Sequence, residues 1–304
     1  MGHANSKNAS LPSENRTVDN DGRQLVLDGC RKFGMRSAET GLDYEIFTYV
    51  PDTPPPRSGF PVIYVLDANS DFATVAETVR RVSRRPSATG ISPSVVVGIG
   101  YPNTRNYDLD RRYLDFTRGV SADPTGADVP ADGCGGQPAY IRFLARQLLP
   151  YVSDQFDIDP SHRVLLGHSL AGYFVLDLLA QCPEIFDSYI SFSPSLWWDR
   201  PRLVETLKEQ GAGKTALRLY VSVGRFEQEL APWQAAAGFN TGYQDLRAAR
   251  RMIDNAREVA DEIQATFAPD TDVRFEIGDQ EDHSTIVTTT LCRALRFVDA
   301  GRIG

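Results

Sequence analysis

The chain has 304 residues, 41 % of them hydrophobic and 24 % charged, with a formal net charge of −8. That is the composition of a soluble globular protein, and no apolar run approaches the ~18 residues of a membrane span. The negative balance argues against nucleic acid or an anionic membrane as partner.

The first stretch, "MGHANSKNASLPSENRTVDNDG", is polar and has no apolar core of the signal-peptide kind. Residues 1–20 are expected to be a disordered tail, and residues 21–304 a single cytoplasmic domain. Gly2 and Ser6 match the short myristoylation pattern M-G-x-x-x-[ST], but a plain tail is the reading adopted. "RQLVLDG" and "YEIFTYV" are expected as early strands. "FPVIYVLDAN", bounded by "PPPRSG", is expected as a buried strand, then "DFATVAETVRRVSRR" as a helix and "SVVVGIGY" as another buried strand. "PAYIRFLARQLLPYVSDQF" puts Ile141, Leu144, Leu148 and Leu149 on one helical face. The remaining elements alternate: strand 163–166, helix 170–181, strand "YISFSP", helix 202–209, strand "LRLYVSVG", one long helix 245–266, strand "VRFEIG" and helix 284–299.

Such alternation predicts an α/β protein with a mostly parallel sheet covered by helices on both faces. Residues 101–137 and 225–244 are long for simple connections. Both follow strands, on the carboxyl edge where open α/β sheets bind ligands. Cys30, Cys134, Cys182 and Cys292 form no C-x-x-C pair, and the four histidines add no zinc spacing, so free thiols and no metal are expected.

The most informative stretch is "RVLLGHSLAGYFVLDLLAQ". A short apolar strand stops at Gly167, Ser169 follows, and an apolar helix begins at once. This is the setting of the G-x-S-x-G turn that exposes a nucleophilic serine, except that Ala171 stands at the second glycine and Gly172 comes one later. The bland alternative is a serine that only caps the helix. A serine nucleophile needs a base near neutrality, which points to histidine. His3 is in the tail, His162 lies at the far end of the strand, and His168 should project away from its neighbour. His283, in the loop after the last strand, remains. The acid should follow a strand between the two. Of Glu227, Glu229, Asp199, Asp245, Asp279, Glu281 and Asp282, Glu227 fits best, to hold the imidazole in one tautomer. An oxyanion would be held by the backbone N–H of Leu170 and by that of Ala68 or Asn69 in "VLDANSDF".

"VIYVLDANSDF", "VVVGIGYP", "RRYLDFT", "FLARQLLPYV", "LLGHSLAGYFVLDLL", "YISFSPSLWWD" and "VSVGRFEQE" together resemble the esterase family that includes the bacterial siderophore esterases. The resemblance runs over residues 25–300. It implies an α/β-hydrolase fold and a serine esterase acting on ferric trilactone siderophores without a metal or other cofactor for catalysis. It also implies Ser169 as nucleophile, Glu227 as acid and His283 as base. Some members use a serine–histidine dyad, which would lessen the part of Glu227. The sequence departs from the family at Ala171 and at Asp67-Ala68, where aspartate-glycine is usual.

For the substrate, Trp197 and Trp198 would form a flat wall beside the nucleophile. Arg111, Arg112 and Arg225 are the candidates for an anionic ferric catecholate. The acidic balance fits a neutral hydroxamate of the fusarinine type equally well. The competing readings are a carboxylesterase, thioesterase or cyclic-ester detoxifying hydrolase on another acyl group, and a non-catalytic ligand-binding relative.

Overall fold

A computed structural model describes residues 27–121, 131–210, 216–238, 241–267 and 269–301. Eight strands form one sheet in the order β1-β2-β4-β3-β5-β6-β7-β8. They are β1 (Cys30–Arg36), β2 (Asp43–Tyr49), β3 (Phe60–Val65), β4 (Val95–Gly100), β5 (Ile158–His168), β6 (Ser188–Phe192), β7 (Arg218–Gly224) and β8 (Asp272–Gly278). β2 runs antiparallel to both β1 and β4, and all other pairings are parallel.

The helices are α1 (Ala68–Val82), α2 (Pro86–Thr89), α3 (Leu109–Phe116), α4 (Gln137–Phe143), α5 (Leu149–Gln155), α6 (Leu170–Gln181), α7 (Arg200–Gln210), α8 (Pro232–Ala236), α9 (Thr241–Arg250), α10 (Met252–Thr266) and α11 (Ile286–Asp299). Every residue of β3 and β4 is buried. A strand of a parallel sheet is covered on both faces, so its sequence reads as a continuous apolar run. Alternation then splits the core. Val62, Tyr64 and Leu66 pack with α6, α7 and α10 on one face, while Ile63 and Val65 pack with α1 and α11 on the other.

The chain passes from β3 outward to β4, then returns across β3 to β5. The crevice between the carboxyl ends of β3 and β5 is therefore a topological switch point, where open α/β sheets place their ligands. The segments after β3, β5, β6, β7 and β8 all open onto that edge.

Several elements differ from expectation. The expected strand "RQLVLDG" falls mainly outside the described residues, as do the tail with Gly2 and Ser6. Asp28 and Gly29 form a turn, and the first strand is Cys30–Arg36. The helix expected over 138–156 contains a π-helical turn at Leu144–Leu148 between α4 and α5. Pro150 has no N–H to offer a carbonyl one turn back, and widening the turn accommodates it. The long helix 245–266 is broken at Arg251, whose φ of 44° ends α9 and starts α10. The segment 101–137 is not structureless: α3 lies within it, its N-terminus capped by Asp108, which accepts from Arg111 N at 3.2 Å.

Candidate active site

Ser169 joins β5 to α6 with φ 62° and ψ −118°, a conformation side chains rarely adopt. The turn is held on both sides, Ser169 N donating to Phe192 O at 2.9 Å and Ser195 N donating to Ser169 O at 3.0 Å. A Cβ on Gly167 would lie 2.6 Å from Ala171 O, and one on Gly172 would lie 2.8 Å from Phe192 O. Those two positions need glycine. Ala171, fully buried, has room for its methyl, so the departure from G-x-S-x-G is accommodated by moving the second glycine one residue on.

The serine, histidine and glutamate chosen from sequence come together in one hydrogen-bonded series. His283 Nε2 is 3.0 Å from Ser169 Oγ, and His283 Nδ1 is 2.7 Å from Glu227 Oε2. The carboxylate is 3 % exposed, and its second oxygen accepts from Ser193 Oγ and Gly224 N, both at 2.5 Å. A buried carboxylate facing Nδ1 keeps the proton there, which leaves Nε2 free to accept from the serine hydroxyl. The loops carrying Glu227 and His283 are stitched together where Phe226 N donates to Glu281 O at 3.0 Å.

His168 does not simply face away. Its ring stands 4.8 Å from that of His283, centroid to centroid, and its Nε2 is 2.7 Å from the His283 carbonyl oxygen. Burial, and then the neighbouring His283, push its pKa down to about 3, while the bond to the carbonyl pulls the other way. His168 is thus a neutral ring that donates to the backbone of His283.

Leu170 is the first residue of α6, and Ala68 and Asn69 are the first two of α1. Opening N–H groups of a helix have no intrahelical acceptor. Asp67, at φ 50°, turns the chain into α1 and is paired with Arg112 at 3.0 Å. Ala68 packs against β4, where a Cβ on Gly98 would lie 2.7 Å from the Ala68 methyl. The Asn69 side chain is occupied otherwise, bonding Tyr101 N and O and Asn103 O and so fixing the loop after β4.

Beside Ser169 opens a cleft of about 170 Å³ walled by Trp197, Tyr243, Leu246, Arg247, Arg250 and Met252. Trp197 is in this wall, with the Arg250 guanidinium 4.1 Å above its ring. Three of the other substrate candidates, Trp198, Arg111 and Arg225, need correction. Trp198 is fully buried, stacked on Tyr113 and bonded through Nε1 to Gly119 O, so it belongs to the core. Arg111 braces α3 against β2, lying over the rings of Tyr44 and Tyr101 and bonding Asp43 O. Beside it, burial raises the Asp115 carboxyl to about 7, against the opposing pull of Arg111 and Tyr44. Arg225 is on a separate surface recess with Gln228 and Asp254, near Glu229 and Asp279. Arg112 does border Ser169, on the other side from Trp197.

Sequence reasoning missed Ser193, Ser195, Arg247 and Arg250. Ser195 Oγ is 3.2 Å from Ser169 Oγ, and Ser193 and Ser195 stand in "SPS" directly after β6, the strand beside the one that leads into Ser169. That run of hydroxyls was the available signal. Nothing in the amphipathic pattern of 241–250 marks its arginines as pocket residues.

Residues 37–283 match the model of an esterase family, described as "Putative esterase". The chain belongs to this esterase family. Among curated members of comparable length, it is 32 % identical to the ferri-bacillibactin esterase of Bacillus subtilis, over 93 % of each chain. It is 29 % identical to the siderophore triacetylfusarinine C esterase of Aspergillus fumigatus, over 79 % of this chain and 81 % of that one. The solved structure of a siderophore hydrolase from Aspergillus nidulans superposes with a TM-score of 0.76 at 27 % identity, covering 91 % of this chain and 96 % of its own. With these esterases the chain shares the α/β-hydrolase fold. Among the described residues, no helix of this esterase is long and apolar enough to cross a membrane.

Proposed function

We propose that this esterase opens the ester bonds of an iron-loaded siderophore in the cytoplasm, with Ser169 as nucleophile, His283 as base and Glu227 as its orienting acid. The observation that carries the reading is the unbroken series from Ser169 through His283 to buried Glu227. It stands at the switch point of a chain that resembles siderophore esterases over nine-tenths of its length. A single sheet running through the described chain supports reading residues 21–304 as one catalytic domain.

His283 Nε2 takes the hydroxyl proton as Ser169 Oγ attacks the ester carbonyl. The imidazolium so formed is stabilised by Glu227, whose other oxygen is already saturated by Ser193 and Gly224. The tetrahedral oxyanion lies between the N–H of Leu170 and an N–H from Ala68 or Asn69, both at helix N-termini, where the helix dipole favours negative charge. His283 then protonates the departing alcohol, and water, activated by the same imidazole, releases the acid from Ser169. Iron enters as part of the substrate. Trp197 and the arginines of α9 form a wall suited to a planar, oxygen-rich chelating arm of either the catecholate or the hydroxamate kind.

Labelling with a fluorophosphonate tests the nucleophile directly. A single adduct on the peptide containing Ser169, lost in Ser169→Ala and slowed at least about 10³-fold in His283→Ala, is expected. An adduct elsewhere, or none, would contradict the assignment.

A further inference from the structure

Glu227 ends a single 3-10 turn, Arg225–Glu227, in which Phe226 has φ −92° and ψ 29°, outside the helical range. Ser193 Oγ and Gly224 N hold one oxygen of its carboxylate, but they leave the carbonyls of the turn unanswered. The last carbonyls of a helical turn have no partner within it. Here they are met from α9. Arg247 Nη1 donates to Phe226 O, to Glu229 O at 3.0 Å and to Gln234 Oε1 of α8 at 3.0 Å. Phe226 O belongs to the peptide group that joins Phe226 to Glu227. The N–H of Phe226 donates to Glu281 O, in the segment that leads to His283. The turn is thus gripped on one side by the His283 loop and on the other by Arg247.

Arg247 does not belong to a packed core. Of the α9 residues from Gly242 to Arg250, none is buried. The helix is turned back over the cleft by the break at Arg251, whose φ of 44° is uncommon for a residue other than glycine. That orientation puts Arg247 in the cleft wall with Ser169 and His283. Tyr243, one turn earlier, braces the guanidinium, which lies 4.8 Å over its ring and donates through Nη2 to its hydroxyl at 3.3 Å. Nη1 has two N–H groups for three acceptors, all of them on the protein, so it is spent on the Glu227 turn and on α8.

We propose that Arg247 is a positioning residue: beyond its place in the cleft wall, it acts through Glu227, holding the turn from which the carboxylate reaches His283 Nδ1. The inference rests on the reading of Ser169, His283 and Glu227 as one catalytic series. It requires that Arg247 matter for a reagent too small and too neutral to use the arginine wall, and only while Glu227 is present.

The test is a double-mutant cycle read with diisopropyl fluorophosphate. This reagent is uncharged and has no chelating arm, and its second-order rate of inactivation reports how readily Ser169 attacks. Arg247→Met keeps much of the side chain's length and removes its donors. It should slow inactivation about tenfold, the effect of one or two hydrogen bonds. Arg247→Lys, which keeps a donor, should be slowed only about threefold. In the Glu227→Gln background, itself slow, neither substitution should change the rate by more than about twofold. A loss of stability alone would lower the melting temperature without this dependence on Glu227. Arg247→Met protein as fast as the parent, or slowed by the same factor in both backgrounds, would overturn the proposal. Should Arg247→Met not fold, Arg247→Lys decides by the same comparison. Glu227→Gln protein as fast as the parent would also overturn it, leaving Ser169 and His283 as the active pair. Wild type that does not react at Ser169 would bring down the esterase reading itself, and the proposal with it.

Discussion

Ser193 Oγ donates to Glu227 Oε1 at 2.5 Å, so the carboxylate that faces His283 is held from the loop after β6, next to the strand that leads into Ser169. Gly224 N donates to the same oxygen. Glu227→Gln would turn an amide N–H₂ toward one of these donors or toward His283 Nδ1–H, and the tautomer that serves Ser169 would be lost. We expect kcat/KM to fall by about 10²–10⁴ with little change in KM. A loss under about tenfold in ester hydrolysis assays would mean that Ser169 and His283 suffice as a dyad.

Ser195 Oγ, 3.2 Å from Ser169 Oγ, can donate to it once the Ser169 proton is committed to His283. This second contact fixes the rotamer of Ser169. Ser195→Ala should slow fluorophosphonate labelling about tenfold, the worth of one hydrogen bond of ~1.4 kcal/mol, and Ser195→Thr should restore part of it. Equal labelling rates in all three proteins would show that the contact is idle.

The elbow tolerates alanine at 171 but not at 167. Gly167→Ala would drive a methyl to 2.6 Å from Ala171 O and 2.7 Å from its carbonyl carbon, both rigid backbone atoms. Overpacking of this kind destabilises by about 1–3 kcal/mol and should also shift Ser169. Thermal melting and labelling rate together read both effects. A variant as stable and as reactive as the parent would contradict the described turn.

His168 makes the fold sensitive to acid. Unfolded, it binds a proton near pH 6.5; folded, only near about 3. Its contribution is therefore complete above pH 6.5 and is lost as pH falls from there toward 3, by up to ~1.4 kcal/mol per pH unit. Asp71 and Asp115, raised from 3.8 to about 7, act in the opposite sense, losing their contribution as pH rises through that interval. His168→Gln can still donate to the His283 carbonyl but does not titrate. Its melting temperature should fall less steeply than that of the parent on acidification from pH ~6.5 to ~4.5. Parallel profiles would contradict the assignment of His168 as buried and neutral.

Ser169, His283 and Glu227 were legible in the sequence because each stands in a setting with few solutions. An apolar strand running through Gly-x-Ser into an apolar helix leaves little but a sharp turn, and only one histidine follows the last strand. What escaped was set by packing. Trp197 and Trp198 are adjacent, and in a tight turn neighbours point in different directions, so one lines the cleft while the other fills the core. The break at Arg251 redirects α9 over the cleft, and no periodicity in residues 245–266 announces it. Arg111 and Arg112 are likewise adjacent, but one side of α3 meets the rings of Tyr44 and Tyr101 and the other meets Asp67. Strand neighbours point to opposite faces, which argues His168 away from Ser169, yet its ring reaches the backbone of His283.

The most direct test of the central claim is mass spectrometry of products. Wild type and Ser169→Ala would each be incubated with one catecholate and one hydroxamate cyclic triester siderophore, with and without iron. Linear or monomeric products with wild type alone are expected, and their identity would fix the siderophore class and show whether iron must be bound. Intact triesters in every wild-type incubation would contradict siderophore hydrolysis as the function of this site.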